Sequence, residues 1–483
     1  MTEHIGHFLG GVRREGRSSR TGPVYCPATG ELLAEVAFAD ESEVDEAVGS
    51  ALAAAAGWRD SPLAERVEIL LMFRDLLLKH RDELAGLITR ENGKLVSDAR
   101  GEISRGIESV EFASGLSTHL LGCFSEQAAR GMDAYSVRQP LGVVVAITPA
   151  NFPAMVPLWM LPNALACGNA VIFKPSEKDP SAPMRLAELL DEAGLPAGVL
   201  NVVNGDHVTV SALLSHPGAD AVSFVGSTPV ARFIYEKATA AGKRVQALGG
   251  AKNHLLVLPD ADLDAAAEAA ISAGYGAAGE RCMAVSVVVP VGGVESELVP
   301  EMQRRSKAVV VGDPMDPRSE LGPLITGAHR DRVASYVDRA PGEGAQVVLD
   351  GREHLGSAAG SGGFFLGPSL IDGVTPQMAA YRDEIFGPVL SVVHAPSYED
   401  ALELVNANPF GNGAALFTSS GRAARAFQRD ARIGMLGINV PIPVPPGHFS
   451  FGGWKGSLFG DLHMYGPDGV RFYTRGKTVM TRW

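Results

Sequence analysis

Residues 141–149 read LGVVVAITP, and residues 169–176, after a long charge-free stretch, read NAVIFKPS. Three further runs of the same kind follow: VLNVVNG (199–205), AVSFVGS (221–227) and RVQALGG (244–250). Each is short and rich in β-branched residues, and most close on Gly, Pro, Asn or Ser. Between them lie segments with helical spacing of apolar residues, for instance Met184 to Ala193 and Val230 to Ala241. Strands separated by helices are joined by crossovers rather than hairpins, so they run parallel, with helices on both faces. The fold class is α/β, built on a doubly wound sheet.

Upstream, residues 41–120 read as successive helices, with apolar positions three and four apart at Leu63, Val67, Leu70, Phe73 and Leu77. Downstream, a second α/β series starts near Leu255 and runs to about 450, which implies a second lobe. The tail, RFYTRGKTVMTRW, is strand-like with no partner nearby in sequence, so it is expected to pair with a distant segment or another subunit. Gly351 to Gly363 reads as a surface loop, and there is no internal repeat.

A chain of 483 residues is long enough for two or three lobes. Its net charge of -13 argues against nucleic acid as a partner, because binding phosphates needs a basic surface. Cys26, Cys123, Cys167 and Cys282 show no CxxC pairing and no metal-ligand spacing, which fits reduced thiols in a cytoplasmic protein without a metal. The N-terminus lacks the apolar core of a signal peptide. Residues 139–173 carry no charge, but Pro149, Pro153, Pro157 and Pro162 suit a buried strand-loop-helix better than a membrane span.

Neither GxGxxG after a strand nor GxxxxGK[ST] occurs. Instead a strand ends in KPSE (Lys174 to Glu177), and a later one ends in FVGST (Phe224 to Thr228) before a helix. Gly226 and Ser227 at a helix start offer N–H groups to a pyrophosphate, although a plain turn explains the same residues. Cys282, in GAAGERCMA, follows Arg281, whose charge would favour the thiolate over a thiol of pKa about 8.5; a buried, inert cysteine is the competing reading. Asn151, in TPANFPA, closes the strand 141–149. Its amide is a potential oxyanion donor, or simply a turn former beside proline.

TPANFP, KPSE, FVGST, LGGAKNH (248–254), GERC, EIFGP (384–388), NPFGN (408–412) and FGGWKGS (451–457) occur together and in order. This set resembles the aldehyde dehydrogenase superfamily from about residue 20 to the C-terminus. NFPAMVPLWMLP, GKRVQALGGAKNH, GAAGERCMA, FGNGAALFTSSG and NVPIPVPPGHFSF look like its CoA-acylating branch, the methylmalonate-semialdehyde and malonate-semialdehyde dehydrogenases. The resemblance implies two Rossmann-like doubly wound lobes and a β oligomerisation ribbon. Residues 1–118 and 141–250 would bind NAD, 251–459 would form the catalytic lobe, and 119–140 with 460–483 the ribbon of a homodimer or homotetramer.

It also implies roles. Cys282 would be the nucleophile, and the Asn151 amide with the Cys282 N–H would hold the oxyanion. Cofactor contacts would fall to Thr148, Phe152, Lys174, Glu177, Gly226, Ser227, Glu384 and Phe386. Among these, Lys174 and Glu177 would bind the adenosine ribose, Ser227 the pyrophosphate, Glu384 the nicotinamide ribose and Phe386 the nicotinamide end. A carboxylate at Glu177 would repel a 2′-phosphate and so favour NAD over NADP. Arg105, in GEISRGIESVEF, and Arg281 would hold a substrate carboxylate; from the residues alone, Arg105 reads sooner as a solvated helix residue paired with Glu102 or Glu108, and the resemblance reverses that.

Hydrolytic relatives carry a glutamate, and acylating ones commonly an asparagine, thirty-four residues before the nucleophile; this chain has Leu248 there. Leucine supplies no base for water. The implied function is oxidation of malonate or methylmalonate semialdehyde through a Cys282 thioester, with decarboxylation and transfer to coenzyme A, giving acetyl-CoA or propionyl-CoA. The alternative is a hydrolytic NAD(P)-dependent enzyme acting on another acidic aldehyde. A non-catalytic binding protein of the same fold is the rival from a different class.

Overall fold

The structure is a computed structural model that describes residues 3–482. The five runs that open the sequence reading form its first sheet. In space they lie in the order Leu200–Val202, Ala170–Lys174, Val143–Ile147, Ala221–Val225 and Arg244–Leu248, all parallel. The chain therefore starts in the middle, winds to one side, then returns to build the other. That reversal leaves a crevice at the carboxyl ends of Val143–Ile147 and Ala221–Val225. Residues 143–147 are all buried, as expected when helices cover both faces. An antiparallel pair, His7–Leu9 and Val12–Arg14, extends one edge of this sheet.

Four helices, Glu41–Asp60, Leu63–Lys79, Arg81–Asn92 and Val96–Ser114, account for the periodic stretch. The first begins at a capping box between Asp40 and Glu43, and the third ends at Gly93 in the left-handed region. The charge-free stretch becomes the strand Val143–Ile147, a loop and the helix Met155–Ala166, whose residues are all buried in the first lobe. No helix among the described residues is long and apolar enough to cross a membrane.

The second sheet runs in the order Gln346–Leu349, Ser369–Asp372, Val389–Val392, Val285–Pro290, Asn253–Val257, Gly413–Phe417 and Met435–Ile438; only its first strand is antiparallel. Gly351 to Gly363 contains two short 3₁₀ turns. The tail strand Thr474–Arg482 pairs along its whole length with Met132–Pro140, which in turn pairs with the fully exposed Phe124–Ala129.

Two boundaries differ from the sequence reading. Leu458–Phe459 joins the edge of the first sheet, beside Ala247 and Leu248, rather than the second lobe. Residues 460–473 do not belong to the ribbon: Met464, Tyr465, Val470, Phe472 and Tyr473 are buried in the first lobe's core. The helix holding two of them, Gly466–Phe472, is too short to show a period in sequence.

Candidate active site

A cleft of about 670 Å³ opens between the lobes where the first sheet reverses. Asn151, Gly226 and Ser227 line it from the first lobe, with Cys282, Glu384 and Phe386 from the second.

Cys282 is delivered by a left-handed turn. Ala277, Ala278 and Gly279 have φ of 50°, 53° and 73°, and a Cβ on Gly279 would lie 2.2 Å from the Gly387 carbonyl oxygen. Beyond the turn, the Cys282 carbonyl accepts from the side-chain amides of Asn253 (2.9 Å) and Asn412 (3.1 Å). The peptide bearing the nucleophile is thus fixed from two other segments. Burial pushes the Cys282 thiol up to about 12, and the nearby Glu384 carboxylate acts in the same direction. This corrects the expectation that Arg281 favours a thiolate: its guanidinium is turned to Asp98 at 2.7 Å.

Asn151 follows the central strand. Its Nδ2 donates to the Glu280 carbonyl at 2.9 Å, so an amide from one lobe meets the backbone two residues before the nucleophile on the other. Phe152 is half-buried, with the Lys94 ammonium 4.2 Å from its ring centre. Leu248 ends the strand Arg244–Leu248 and is buried in the apolar cluster against which Cys282 packs.

The cofactor candidates divide into two groups. Ser227 precedes the helix Thr228–Ala240 without a side-chain hydrogen bond, so the N–H groups of Thr228 and Val230 have no side-chain cap at the end where Ser227, Thr228 and Pro229 line the cleft. Gly226 donates its N–H to the Leu248 carbonyl, and a Cβ there would lie 2.4 Å from the Phe224 ring. Lys174 and Glu177 do not line the cleft itself but pair with each other at 3.1 Å beside it. Burial works to raise the Glu177 carboxyl, but Lys174, a backbone N–H and Lys178 together outweigh it and hold the group below the usual carboxylate range. The Thr148 hydroxyl, also outside the cleft lining, is buried with no hydrogen-bond partner among the described residues. Uncapped N–H groups, an orphaned hydroxyl and an ionised carboxylate together suit a dinucleotide.

Glu384 is half-buried, accepts from the Ala251 N–H at 2.8 Å and is raised to about 7 by desolvation. The loop carrying it is clamped by residues that the sequence reading missed. His329 Nε2 donates to the Phe386 carbonyl at 2.7 Å, and Arg332 donates to Ile385 O and to His329 Nδ1. Burial lowers His329 to about 4, so the imidazole is neutral with its proton on Nε2. Phe386 itself has φ of 59°. Glu280 was also missed; it lines the cleft and its burial raises it to about 8.

The two arginines are not brought together on the cleft. Arg105 makes a two-oxygen pair with Glu108 at 3.0 Å and donates to Val444 O, beside a small pocket lined by Met155, Trp159 and Tyr465. Arg281 lies next to Cys282 but faces Asp98. No group of three or more His, Cys, Asp or Glu among the described residues is placed to hold a metal ion.

The aldehyde dehydrogenase family pattern matches residues 14–479. A malonate-semialdehyde dehydrogenase of Pseudomonas aeruginosa is 50% identical over 480 residues, covering 99% of this chain and 96% of that one. One from Geobacillus kaustophilus is 48% identical over 477 residues, covering 99% and 98%. Among solved structures, a putative methylmalonate-semialdehyde dehydrogenase of Sinorhizobium meliloti complexed with NAD superposes with a TM-score of 0.98 at 49% identity, covering 100% of this chain and 98% of that one. The methylmalonate-semialdehyde dehydrogenase of Oceanimonas doudoroffii gives the same score and identity, covering 100% and 99%. With the motifs, the two-lobed fold and the interlobe cysteine in agreement, the chain belongs to the aldehyde dehydrogenase family.

Proposed function

We propose that the chain is a NAD-dependent, CoA-acylating dehydrogenase of malonate or methylmalonate semialdehyde. The observation that carries this reading is a contrast at the site: Cys282 and Asn151 line the cleft, while the position of the water-activating glutamate holds Leu248, buried in the apolar cluster against which Cys282 packs. Substrate carbonyl carbon bonds to Cys282 Sγ as the S–H bond breaks and its proton passes to solvent water, and negative charge grows on the carbonyl oxygen. The Asn151 amide and the Cys282 N–H stabilise that charge. NAD, when bound, accepts the hydride that leaves as the C=O bond re-forms. Ser227 and the helix behind it would hold its pyrophosphate, Lys174 and Glu177 its adenosine ribose, and Glu384 its nicotinamide ribose.

The product on Cys282 is a thioester. With a 3-oxo acid, the bond to the carboxylate then breaks, and its electrons move into a thioester enolate that the same oxyanion donors stabilise. Protonation leaves an acetyl or propionyl group for the CoA thiolate to remove. Arg105 and Arg281 would bind the carboxylate by exchanging their present partners, Glu108 and Asp98, for substrate. The exposed strands of the ribbon suit assembly into a homodimer or homotetramer, and the enzyme is assigned to the cytoplasm.

Incubation with malonate semialdehyde, NAD and CoA tests the whole reading, with acetyl-CoA, carbon dioxide and NADH expected in equal amounts. Failure to form any acyl-CoA from either semialdehyde would overturn it.

A further inference from the structure

We propose that Asn92 and Lys94, in the turn ENGK at the end of helix Arg81–Asn92, are positioning residues that seat the amide of Asn151. They hold two consecutive carbonyls of the loop that carries it. Asn92 Nδ2 donates to Ala150 O at 2.9 Å, and Lys94 Nζ donates to Asn151 O at 2.5 Å. Between them, Gly93 adopts φ of 87°, which turns the chain so that both side chains reach the same loop. A Cβ on Gly93 would lie 2.8 Å from Pro323 and 2.9 Å from Pro27, so the turn is also packed tightly from outside.

Lys94 is only 4% exposed, an unusual place for an ammonium. Its charge is matched by Glu102, at 2.6 Å, and the Phe152 ring lies beside it. Glu102 does a second task with its other oxygen, accepting from the N–H groups of Ala154 (2.8 Å) and Met155 (3.0 Å) where the next helix begins. The loop from Ala150 to Met155 is therefore gripped at two carbonyls and two N–H groups by one buried network. A buried ion pair contributes little net stability compared with apolar packing, but it fixes geometry. Here the geometry fixed is that of the Asn151 peptide, whose side chain has one N–H engaged by Glu280 O. The other is left free for an oxyanion.

The inference rests on Asn151 being the oxyanion donor, and the experiment separates the two claims. Three variants are compared with wild type: Asn151→Ala, Asn92→Ala and Lys94→Met/Glu102→Gln, the last leaving no unpaired buried charge. The readout is the rate of the pre-steady-state NADH burst with propanal, which reports acylation alone. Losing an oxyanion donor costs roughly 10²–10³-fold, and a donor displaced by a fraction of an ångström should cost at least about tenfold. Asn92→Ala and Lys94→Met/Glu102→Gln are expected to slow the burst by about that tenfold, with NAD affinity and iodoacetamide labelling of Cys282 changed less than about twofold. In an Asn151→Ala background the same changes should slow it no further, because their effect passes through Asn151.

A normal burst in both folded clamp variants, or slowing that persists undiminished without Asn151, would overturn the clamp. A normal burst in Asn151→Ala would instead remove the oxyanion assignment and the clamp with it. Should Lys94→Met/Glu102→Gln fail to fold, Asn92→Ala decides alone.

Discussion

The Asn151 side chain reaches across the interlobe cleft to the Glu280 carbonyl, 2.9 Å away and two residues before Cys282. An amide carries two N–H groups, so this bond sets the plane of the group without exhausting it. The second N–H is available as charge develops on the substrate oxygen. Asn151→Asp keeps the size but loses both donors and adds repulsion toward an oxyanion. It should lower kcat by roughly 10²–10³-fold with a much smaller change in KM. Steady-state kinetics with saturating NAD decide this; a drop confined to KM would show that Asn151 serves ground-state binding.

The nucleophile should behave as a thiol in the free enzyme. Burial holds Cys282 up to about 12, Glu384 adds to that, and Arg281 is committed to Asp98. Below its pKa, the thiolate fraction of a thiol rises about tenfold per pH unit. Alkylation of Cys282 by iodoacetamide should therefore climb steadily from pH 7 to about 9.5 without levelling. Peptide mass spectrometry keeps it distinct from Cys123, which is exposed. A plateau reached near neutral pH would mean the thiolate already exists before substrate binds. Cys282→Ala should still bind NAD and show no oxidation.

What could be read in advance follows from range. The strands 143–147, 170–174 and 221–225 were legible because burial on both faces writes a mostly apolar, β-branched run into five consecutive buried positions, broken only by Lys174 and Ser223. Cys282 and Asn151 stood out through their motifs. The partners that make them work did not: Asp98 is 183 residues from Arg281, Asn412 is 130 from Cys282, and His329 is 57 from Phe386. No local period or spacing announces such contacts. The Arg105–Glu108 pair was visible as an i, i+3 possibility, and it is what the structure contains. The ribbon boundary was misplaced because Gly466–Phe472 spans only 7 residues between two extended segments.

That Arg105 pair sets the next expectation. Both members are partly exposed, at 42% and 38%, so the bond is weak and an incoming carboxylate can displace Glu108. Arg281 faces the same exchange with Asp98. Arg105→Leu and Arg281→Leu should each reduce the preference for malonate semialdehyde over propanal by at least roughly tenfold, from a charge-assisted bond contributing about 1.5–3 kcal/mol. The ratio of kcat/KM for the two aldehydes is the measurement. If it is unchanged in either variant, that arginine only holds its present acidic neighbour.

Leu248 decides what removes the acyl group. It sits at the end of its strand, buried in the cluster against which Cys282 packs, and it offers no proton acceptor to a water molecule. A positioned base contributes about 10²–10⁴-fold to such a hydrolysis, whereas a thiolate is intrinsically nucleophilic and needs less help. Without CoA, the enzyme should give one equivalent of NADH and then turn over slowly; adding CoA should restore rapid steady turnover. Intact-protein mass spectrometry after the burst should find the decarboxylated acyl group on Cys282. Two carboxyl groups near this cysteine line the cleft, Glu280 and Glu384; with Glu384 assigned to the cofactor ribose, a hydrolytic route would recruit Glu280, which burial raises to about 8. Glu280→Gln should leave the slow CoA-independent rate within about twofold if no side chain activates water there. Leu248→Glu should move some product to the free acid, because it restores a carboxylate at the position where hydrolytic relatives carry their base. Equal NADH rates with and without CoA, with free carboxylic acid as the only product, would overturn the acylating assignment while leaving the thioester chemistry of Cys282 intact.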